Sequence, residues 1–517
     1  MFSISPAPGC TIYPVELVKR YILEFVVFVC GALVMIYEIV GSRIVSPFIG
    51  TSTYVWTSLI GVILASLSIG YWVGGRMADK RPSVKYLASA IFIAGGLVSL
   101  TVLLKDLVLT AVAAAPLGLE FKSVIASALL FGPASVALGF VVPYAVKLRM
   151  LSLEDTGRTV GRLYALSTVG SIAGTFAAGF LLIPFVGSVR TLYMIAGSLI
   201  ILALMLAPLS LTRASFAVVT LFVLGIAANE LSAYYLWRTH DLHDIDSEYS
   251  RIRVFRTTDP KTGRPMRALA TDPYYVQSAI YLDGEDLALR YTPFYHLSRH
   301  FRPGFQHTLM IGGAGYTFPT EYLRTNRGAT MDVVEIDPAM TRIAQEHFRL
   351  EIDPRLNIVH EDGRVFLNTA PPDTYDVVLL DAFGSLFTIP YQLTTLEAVW
   401  HIDRVLHDDG IVIFNVGSAL RGPYSRFFQA EFATYRQVFK QVLVFQVNRE
   451  TPENEVQNLI LVACKSVCEG AAGADLQIQS LLNNRYTGEF PLTLPALTDD
   501  YAPVEYYNSF GHSASRR

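Results

Sequence analysis

Glycines and an acidic residue follow two apolar stretches in the C-terminal half of the chain, in an order that suits nucleoside binding. The segment HTLMIGGAGYTF, residues 307–318, runs from an apolar stretch into Gly312, Gly313 and Gly315. Glycines at a strand end let the backbone approach a ligand closely, although a structural turn would need them as well. Glu335 ends the next stretch, MDVVE, and an acid there can accept hydrogen bonds from both hydroxyls of a ribose.

Two further acids extend this pattern along the chain. Asp362, followed by Gly363 in HEDGRVF, comes after a third apolar stretch, where it can reach an adenine amino group. Asp381 ends the fourth stretch, YDVVLLD, where it could act as a base or merely cap the following turn. The spacing GxGxxG is absent, which disfavours NAD, and no GKS or GKT marks a P-loop. The pattern therefore favours a nucleoside of the S-adenosylmethionine type.

Strands and helices alternate in the region that carries these residues. We predict a doubly wound α/β domain, Rossmann-like and of methyltransferase type, over 301–517, preceded by a linker and a small antiparallel β subdomain over 237–300. In such a sheet ligands bind at the carboxyl ends of the strands. The predicted strands of the large sheet are 307–311, 331–336, 356–360, 375–381, 410–416, 441–447 and 457–463.

The chain is too apolar for an ordinary soluble enzyme, and its long apolar runs lie in the N-terminal half. Only 16% of the chain is charged, and its mean hydropathy is +0.39. We predict a membrane domain over 1–236 with about seven transmembrane helices, and an eighth if the short run at 107–118 also crosses. Gly170, Gly174 and Ala178 stand four apart and predict a helix-packing face. The seven long apolar runs are 21–45, 54–75, 84–104, 124–146, 163–186, 189–209 and 214–236.

The basic residues of the loops predict the orientation of these helices, since lysine and arginine are enriched on the cytoplasmic side. Seven crossings from a cytoplasmic N-terminus would leave the C-terminal half outside, where no donor derived from S-adenosylmethionine is expected. Weighing donor supply above loop charge, we expect a protein of the bacterial inner membrane with a cytoplasmic catalytic domain. The basic residues are Lys19, Arg20, Arg76, Lys80, Arg81, Lys85, Lys147, Arg149, Arg158 and Arg162.

Charge and cysteine content exclude other classes of protein. A net charge of -3 without a basic face argues against nucleic acid as a partner. Four cysteines are too few for a disulfide scaffold. Cys464 and Cys468 have no second pair or histidine cluster nearby, so we expect two thiols and no metal site.

The motifs together resemble a known family. IGGAG, VVEIDPAM, DPRLNIVHEDGRVFL and YDVVLLDAF are similar to motifs of the spermidine synthases, over roughly residues 250–465, and specifically to those of their membrane-fused bacterial relatives. An upstream VQS and the pair Tyr295 and His296 make the resemblance more specific. It implies transfer of an aminopropyl group from the co-substrate decarboxylated S-adenosylmethionine to a polyamine such as putrescine, giving spermidine and methylthioadenosine. It also implies a homodimer and no prosthetic group.

The resemblance assigns roles to individual residues of this chain. Gln277 and His296 would line the sulfonium and the tail of the nucleoside. Glu335 would hold the ribose, Asp362 would hold the adenine, and Asp381 would be the catalytic base.

Two departures from the family leave the binding of the amines in doubt. Gly315 and Gly384 stand where soluble members have aspartates that grip the cationic amines. Acids from LTDDYAPVEYY near the C-terminus could compensate, although an exposed acidic turn is an equal interpretation. The candidates for contacts with the substrate amine are Tyr295, Tyr391, Asp499 and Asp500.

Two alternatives to aminopropyl transfer stay open. One is a methyltransferase that uses S-adenosylmethionine. The other is a polyamine transporter or sensor whose synthase-like domain only binds a ligand.

Overall fold

The chain forms two compact units in the computed structural model. The structure describes residues 14–50, 52–150, 156–207, 213–271, 275–382, 389–468, 470, 475–490 and 493–509. One unit contains the chain up to Val45, Val55–Ala114 and Lys122–Ser232, and the other contains Ser46–Tyr54, Ala115–Phe121 and the chain from Ala233 onward. The predicted domain limits stay a prediction, and the limit at 236 falls inside a helix that continues to His240.

Helices make up the first unit. Ala178–Leu182 is a π-helical turn that continues α7 into α8. The helices are α1 (Pro14–Ile49), α2 (Thr53–Lys80), α3 (Val84–Ala114), α4 (Leu119–Leu130), α5 (Gly132–Gly139), α6 (Val141–Arg149), α7 (Thr156–Ala177), α8 (Ile183–Val186), α9 (Ser188–Leu206) and α10 (Arg213–His240).

Six helices among the described residues are long and apolar enough to cross a membrane. Leu119–Leu130 and Gly132–Arg149 pass the same test together but are bent by 52°, and they raise the number to seven if they form one span. The prediction that 107–118 could form a separate, eighth crossing was wrong, because α3 continues as one helix as far as Ala114. An apolar run beside a predicted span gives no sequence signal that the two form one long helix.

Glycines of α7 pack directly against α1, as their spacing predicted. A Cβ atom on Gly170 would lie 2.0 Å from the carbonyl oxygen of Phe28, and one on Gly174 would lie 2.3 Å from that of Ala32. Ala178, the third member of the predicted face, is fully buried. Small residues therefore let the two helix backbones approach closely.

Two sheets and their covering helices make up most of the second unit. A four-stranded antiparallel sheet has the order β1-β2-β3-β4, and a seven-stranded sheet has the order β10-β11-β9-β8-β5-β6-β7. The strands are β1 (His243–Asp246), β2 (Arg251–Thr258), β3 (Pro265–Ala270), β4 (Ser278–Tyr281), β5 (His307–Ile311), β6 (Thr330–Val334), β7 (Leu356–Val359), β8 (Tyr375–Leu380), β9 (Leu406–Ser418), β10 (Gln441–Gln446) and β11 (Gln457–Cys464).

The large sheet is mostly parallel, as predicted. β7, β6, β5, β8 and β9 run parallel, while β11 is antiparallel to both β9 and β10. Apolar clusters on both faces of the sheet bury it against the helices. The helices of this unit are α11 (Ser298–Phe301), α12 (Thr317–Thr325), α13 (Pro338–His347), α14 (Gly363–Thr369), α15 (Leu396–Val405), α16 (Arg426–Val438), α17 (Leu476–Leu482) and α18 (Val504–Ser509).

The two C-terminal cysteines correct a further expectation. Cys464 and Cys468 were expected to be thiols, but they are joined by a disulfide. β11 ends at Cys464, and the chain then turns so that the two Cα atoms lie 5.9 Å apart, within the range that a disulfide bridges.

We expect Gly170→Val to destabilise the helical unit, because its side chain would collide with the backbone of α1. Overpacking of this kind costs about 1–3 kcal/mol. Thermal unfolding in detergent should show a Tm several degrees below that of the wild type. Gly161→Val in the same helix is the matched control, since a Cβ there meets nothing within 4 Å. Equal Tm values for the two variants would contradict the close α1–α7 contact.

Candidate active site

The order of the strands in the large sheet reverses at β5. The candidate site lies at the carboxyl ends of β5 and its neighbour β8. The chain passes from β5 outward to β6 and β7, then returns to β8 on the other side of β5. Ligands of doubly wound sheets bind at such a switch point. Gly312 follows β5 and Asp381 follows β8, and the Asp381 N–H donates to the carbonyl of Ile311 at 2.9 Å.

Gly312 brings the glycine loop against the backbone of Asp381. Its φ is +96°, in the left-handed region that favours glycine, and a Cβ atom there would lie 2.3 Å from the Asp381 carbonyl oxygen. Both the backbone conformation and the space therefore require glycine. The loop and the acid predicted to act together are direct neighbours.

Glu335 holds the glycine loop from the end of β6. Its carboxylate accepts hydrogen bonds from the N–H groups of Gly313 at 2.9 Å, Ala314 at 3.0 Å and Asp337 at 3.0 Å. The side chain is only 7% exposed, and this burial raises its pKa, while the three N–H donors favour the ionised form. A carboxylate offers about four lone-pair positions, so three backbone bonds leave room for a ligand hydroxyl.

Gly315 faces a side chain from the small sheet. Its N–H donates to Ser278 Oγ at 2.9 Å, and a Cβ atom on Gly315 would lie 2.7 Å from Ser278 Cβ. Ser278 begins β4 and is buried. The position where the family has an aspartate therefore has no space for a longer side chain unless Ser278 moves.

Asp381 is half-buried and surrounded by polar groups that point at its carboxylate. Tyr291 donates its hydroxyl to Oδ2 at 2.9 Å, and Asn415 donates its amide to Oδ1 at 3.1 Å. Asn458 in turn donates to Asn415 Oδ1 at 2.9 Å, which fixes the orientation of that amide. Desolvation by the surrounding residues raises the pKa of Asp381, and the hydrogen bonds lower it in part.

Tyr295, a predicted contact of the substrate amine, lies in the same place. Its side chain is fully buried, and its ring meets that of Tyr291 edge-on with centroids 6.0 Å apart. The hydroxyl lies close enough to Asp381 to feel its charge, but it forms no hydrogen bond of normal geometry with any described residue. Burial, together with the charge of Asp381, holds the pKa of both tyrosines far above their usual value. Both hydroxyls therefore stay protonated at neutral pH.

Asp362 lies at the start of α14, where it caps the helix. Its Oδ1 accepts from the N–H groups of Arg364 at 2.8 Å and Val365 at 3.2 Å. Oδ2 has no partner in the part of the chain that the structure describes, so it can accept from an adenine amino group. Gly363 packs against β5, since a Cβ atom there would lie 2.6 Å from Ile311 Cγ2.

Gln277 and His296 are engaged by other residues. Gln277 pairs with Thr271, accepting its N–H at 2.9 Å and donating to its hydroxyl. His296 is 2% exposed and lies with its Nε2 2.9 Å from Glu321. Their roles at the donor stay predictions.

Three of the four candidates for contacts with the substrate amine, Tyr391, Asp499 and Asp500, are exposed. Asp499 pairs with Arg364 at 2.7 Å and accepts from Thr395 Oγ1 at 2.6 Å, so its carboxylate is already engaged. Asp500 is exposed, and Tyr391 is 53% exposed. Gly384 lies outside the described residues.

The described residues contain no group of three or more His, Cys, Asp or Glu side chains that could hold a metal ion.

Sequence reasoning missed several members of the site. A polar residue near the end of an apolar strand, Asn415 in GIVIFNVGS, is a signal that could have been used. Tyr291 stands four residues before Tyr295, a spacing that places two side chains on one face of an α-helix, and this was a second signal even though Thr292–Leu297 forms a 3-10 helix. Ser278 and Asn458 carry no comparable signal, because their roles come from strand pairing.

Comparisons with known proteins agree with this geometry. The profile of the Spermine/spermidine synthase domain matches residues 292–467. A polyamine aminopropyltransferase of Vibrio vulnificus is 28% identical over 235 residues, which are 44% of this chain and 75% of that protein. Polyamine aminopropyltransferase 1 of Streptomyces coelicolor is 24% identical over 434 residues, which are 78% of this chain and 77% of that protein.

A solved structure, the spermidine synthase of Thermotoga maritima, aligns with a TM-score of 0.33 and 17% identity over 52% of this chain and 83% of its own. The profile match covers all seven strands of the large sheet, β5 to β11, and with them Tyr295, the glycine loop, Glu335 and Asp381. The chain is therefore similar to the spermidine synthases, and residues 292–467 are the part that matches the Spermine/spermidine synthase domain.

Proposed function

We propose that the protein transfers an aminopropyl group from decarboxylated S-adenosylmethionine to an amine such as putrescine, giving spermidine and methylthioadenosine. The observation that carries the proposal is the contact between Gly312 and Asp381. It places a desolvated carboxylate beside the loop that suits the nucleoside, and both lie within the matched domain. The relatives named polyamine aminopropyltransferases support the same reaction.

Asp381 acts as the general base of this reaction. A primary amine has a pKa near ~10 and is protonated at neutral pH, so a proton must leave before its nitrogen can attack. Asp381 accepts this proton, and the neutral amine then attacks the carbon next to the sulfonium. The new C–N bond forms as the C–S bond breaks, and the sulfur keeps the electron pair and leaves as methylthioadenosine. A raised pKa makes this carboxylate a better proton acceptor, as long as the pH keeps it ionised.

Glu335 and Asp362 bind the nucleoside in this proposal. Glu335 uses its remaining acceptor position for a ribose hydroxyl, and Asp362 Oδ2 accepts from the adenine amino group. The helical unit lies in a bacterial inner membrane, since at least six of its described helices have the length and apolarity to cross it. The homodimer expected from the resemblance stays a prediction.

Methyl transfer from S-adenosylmethionine is the second candidate, and the closed space at Gly315 favours it. The aspartate that grips the amine of the donor tail in the family is absent there, and Ser278 fills its place. Purified full-length protein should therefore be given putrescine with each donor in turn. Formation of methylthioadenosine and spermidine supports aminopropyl transfer, whereas S-adenosylhomocysteine would show methyl transfer. If neither product forms, the remaining interpretation is a ligand-binding sensor or transporter.

We expect Glu335→Gln to weaken methylthioadenosine binding by an order of magnitude or more, measured by calorimetry. The amide loses the charge that strengthens each hydrogen bond to the ribose, and it can no longer accept at both heteroatoms. Glu346→Gln is the control, because that side chain is 60% exposed on α13. Unchanged affinity in Glu335→Gln would remove Glu335 from the ribose site.

We expect Asp381→Asn to lower kcat by at least about 10²-fold, because the amide keeps the shape but accepts no proton at neutral pH. Calorimetry with methylthioadenosine should show nearly unchanged affinity, since the nucleoside contacts come from other residues. Turnover within threefold of the wild type would exclude Asp381 as the base.

We expect Tyr291→Phe to move the acidic limb of the pH–rate profile to higher pH. The Tyr291 hydroxyl donates to the carboxylate and favours its ionised form, so its loss raises the pKa of Asp381 further. A base must be ionised to act, and a higher pKa requires a higher pH for the same activity. Tyr375→Phe is the control, because its hydroxyl donates to Asp332. An acidic limb that stays in place or moves to lower pH would contradict this arrangement.

A further inference from the structure

Contacts within the helical unit fix the direction in which each helix runs. Near the start of α1, Glu24 pairs with Arg149 at the end of α6 and with Arg162 near the start of α7, the latter at 2.9 Å. At the end of α2, Asp79 pairs with Lys147 of α6 at 2.8 Å. The start of α1 and α7 and the end of α2 and α6 therefore lie at one end of the helical unit, which we call the basic end.

The bent segment formed by α4, α5 and α6 runs from the opposite end to the basic end. Lys122, at the start of α4, donates to the carbonyl of Ala113 at the end of α3. Further along, the carbonyl of Leu130 accepts from Thr101, in the middle of α3, at 2.7 Å. The segment then follows α2 in parallel and ends beside Asp79.

The closest approaches between α2 and the bent segment show the same course. A Cβ atom on Gly70 would lie 2.2 Å from the Val136 carbonyl oxygen, and one on Gly74 would lie 2.8 Å from Phe140 Cα. Residue numbers thus increase in the same direction along α2 and along the bent segment. The bend of 52° does not turn the segment back, so it counts as one full crossing.

The last three helices complete the count. α1 and α7 run parallel, since Phe28 meets Gly170 and Ala32 meets Gly174. α10 runs parallel to α3, since Gly96 faces Val218 while Gly225 faces Ser99. Because α3 starts three residues after Arg81, at the basic end, α10 starts at that end as well and leaves the bundle at the other.

We propose that the helical unit crosses the membrane seven times. The second unit, which carries the candidate active site and is called the catalytic unit below, then lies on the side opposite the basic end, outside the cytoplasm. This inference rests on the membrane placement in the proposed function. The basic residues of the loops lie at the end of the bundle where the chain enters it, and such residues face the cytoplasm. β1 begins at His243, directly after α10 ends at His240, so the second unit starts on the other side.

The disulfide between Cys464 and Cys468 supports the same side independently. Disulfides persist in oxidising compartments such as the periplasm and are rare in the cytoplasm. The proposal opposes the cytoplasmic placement that donor supply predicts. It requires that the cationic donor nucleoside be carried to the outer side of the membrane or be taken up there.

The test is labelling of single cysteines in intact bacteria with a membrane-impermeant maleimide. The parent has its native cysteines replaced by serine. One variant carries Asp286→Cys, at a side chain of the catalytic unit that is 75% exposed, and its matched partner carries Arg158→Cys, at an exposed position in the first turn of α7. We expect Asp286→Cys to be labelled in intact cells and Arg158→Cys only after permeabilisation. Any other pattern overturns the proposal, because it places both positions on one side or the two sides in reverse.

Thiol trapping of the unmodified chain gives a second measurement that needs no substitution. Cys464 and Cys468 should resist alkylation until a reductant is added, and free thiols in rapidly quenched cells would contradict the oxidising side. Alkaline carbonate extraction separates the possible failures. Release of the chain from membranes would overturn the membrane placement itself, whereas an integral chain with the wrong labelling pattern would overturn only the sidedness. Neither result depends on transferase activity.

Discussion

The half-buried carboxylate of Asp381 is partly desolvated, and the polar groups around it offset part of that cost. Desolvation disfavours its charged form, so without hydrogen bonds the pKa of this carboxyl would rise further. Tyr291 and Asn415 each donate one hydrogen bond to it and offset part of this cost. The result is a carboxyl whose pKa is raised by desolvation and lowered in part by its hydrogen bonds.

The orientation of Asn415 matters as much as its presence. An amide can turn either its N–H₂ or its oxygen towards a neighbour, and only the first stabilises a carboxylate. Asn458 donates to the Asn415 oxygen at 2.9 Å and so selects the productive orientation. β9 and β11 pair in antiparallel register, with Asn458 opposite Gly417, and this brings the two amides together. The edge of the sheet beyond β9 therefore contributes to the site without touching a ligand.

The glycines of the site explain how the chain departs from the family pattern. Gly312 and Gly363 are needed because backbone or side chain atoms of the sheet fill the space beside them. Gly315 differs, since the group that fills its space is Ser278, which comes from the separate small sheet. The loss of an acid at Gly315 is thus coupled to the position of β4. In the proposed reaction, a group that binds the cationic tail of the donor would therefore come from another position.

Much of the fold could be predicted from sequence, because its signals are local. All seven strands of the large sheet were predicted within a few residues, since each is a largely apolar run, and several of them end in glycine or an acid. β9 begins at Leu406, earlier than predicted, because pairing with Tyr375 draws the polar residues HDD into the strand. The partners of Asp381 could not be found in this way. Tyr291 lies 90 residues from it and Asn415 lies 34 residues from it, so only the folded sheet brings them together.

The polar groups of the helical unit bear on whether that unit could be a transporter. Glu24 is 7% exposed, and removing a carboxylate from water is costly unless cations pair with it. Two arginines from different helices do so, which ties α1, α6 and α7 together. Tyr37 and Thr101 both donate to the carbonyl of Leu130, beside the break between α4 and α5. A carbonyl at such a break lacks its usual helical partner, and these hydroxyls replace it. In the described bundle these groups are engaged in holding helices to one another, which favours a structural role for them over a path for a solute.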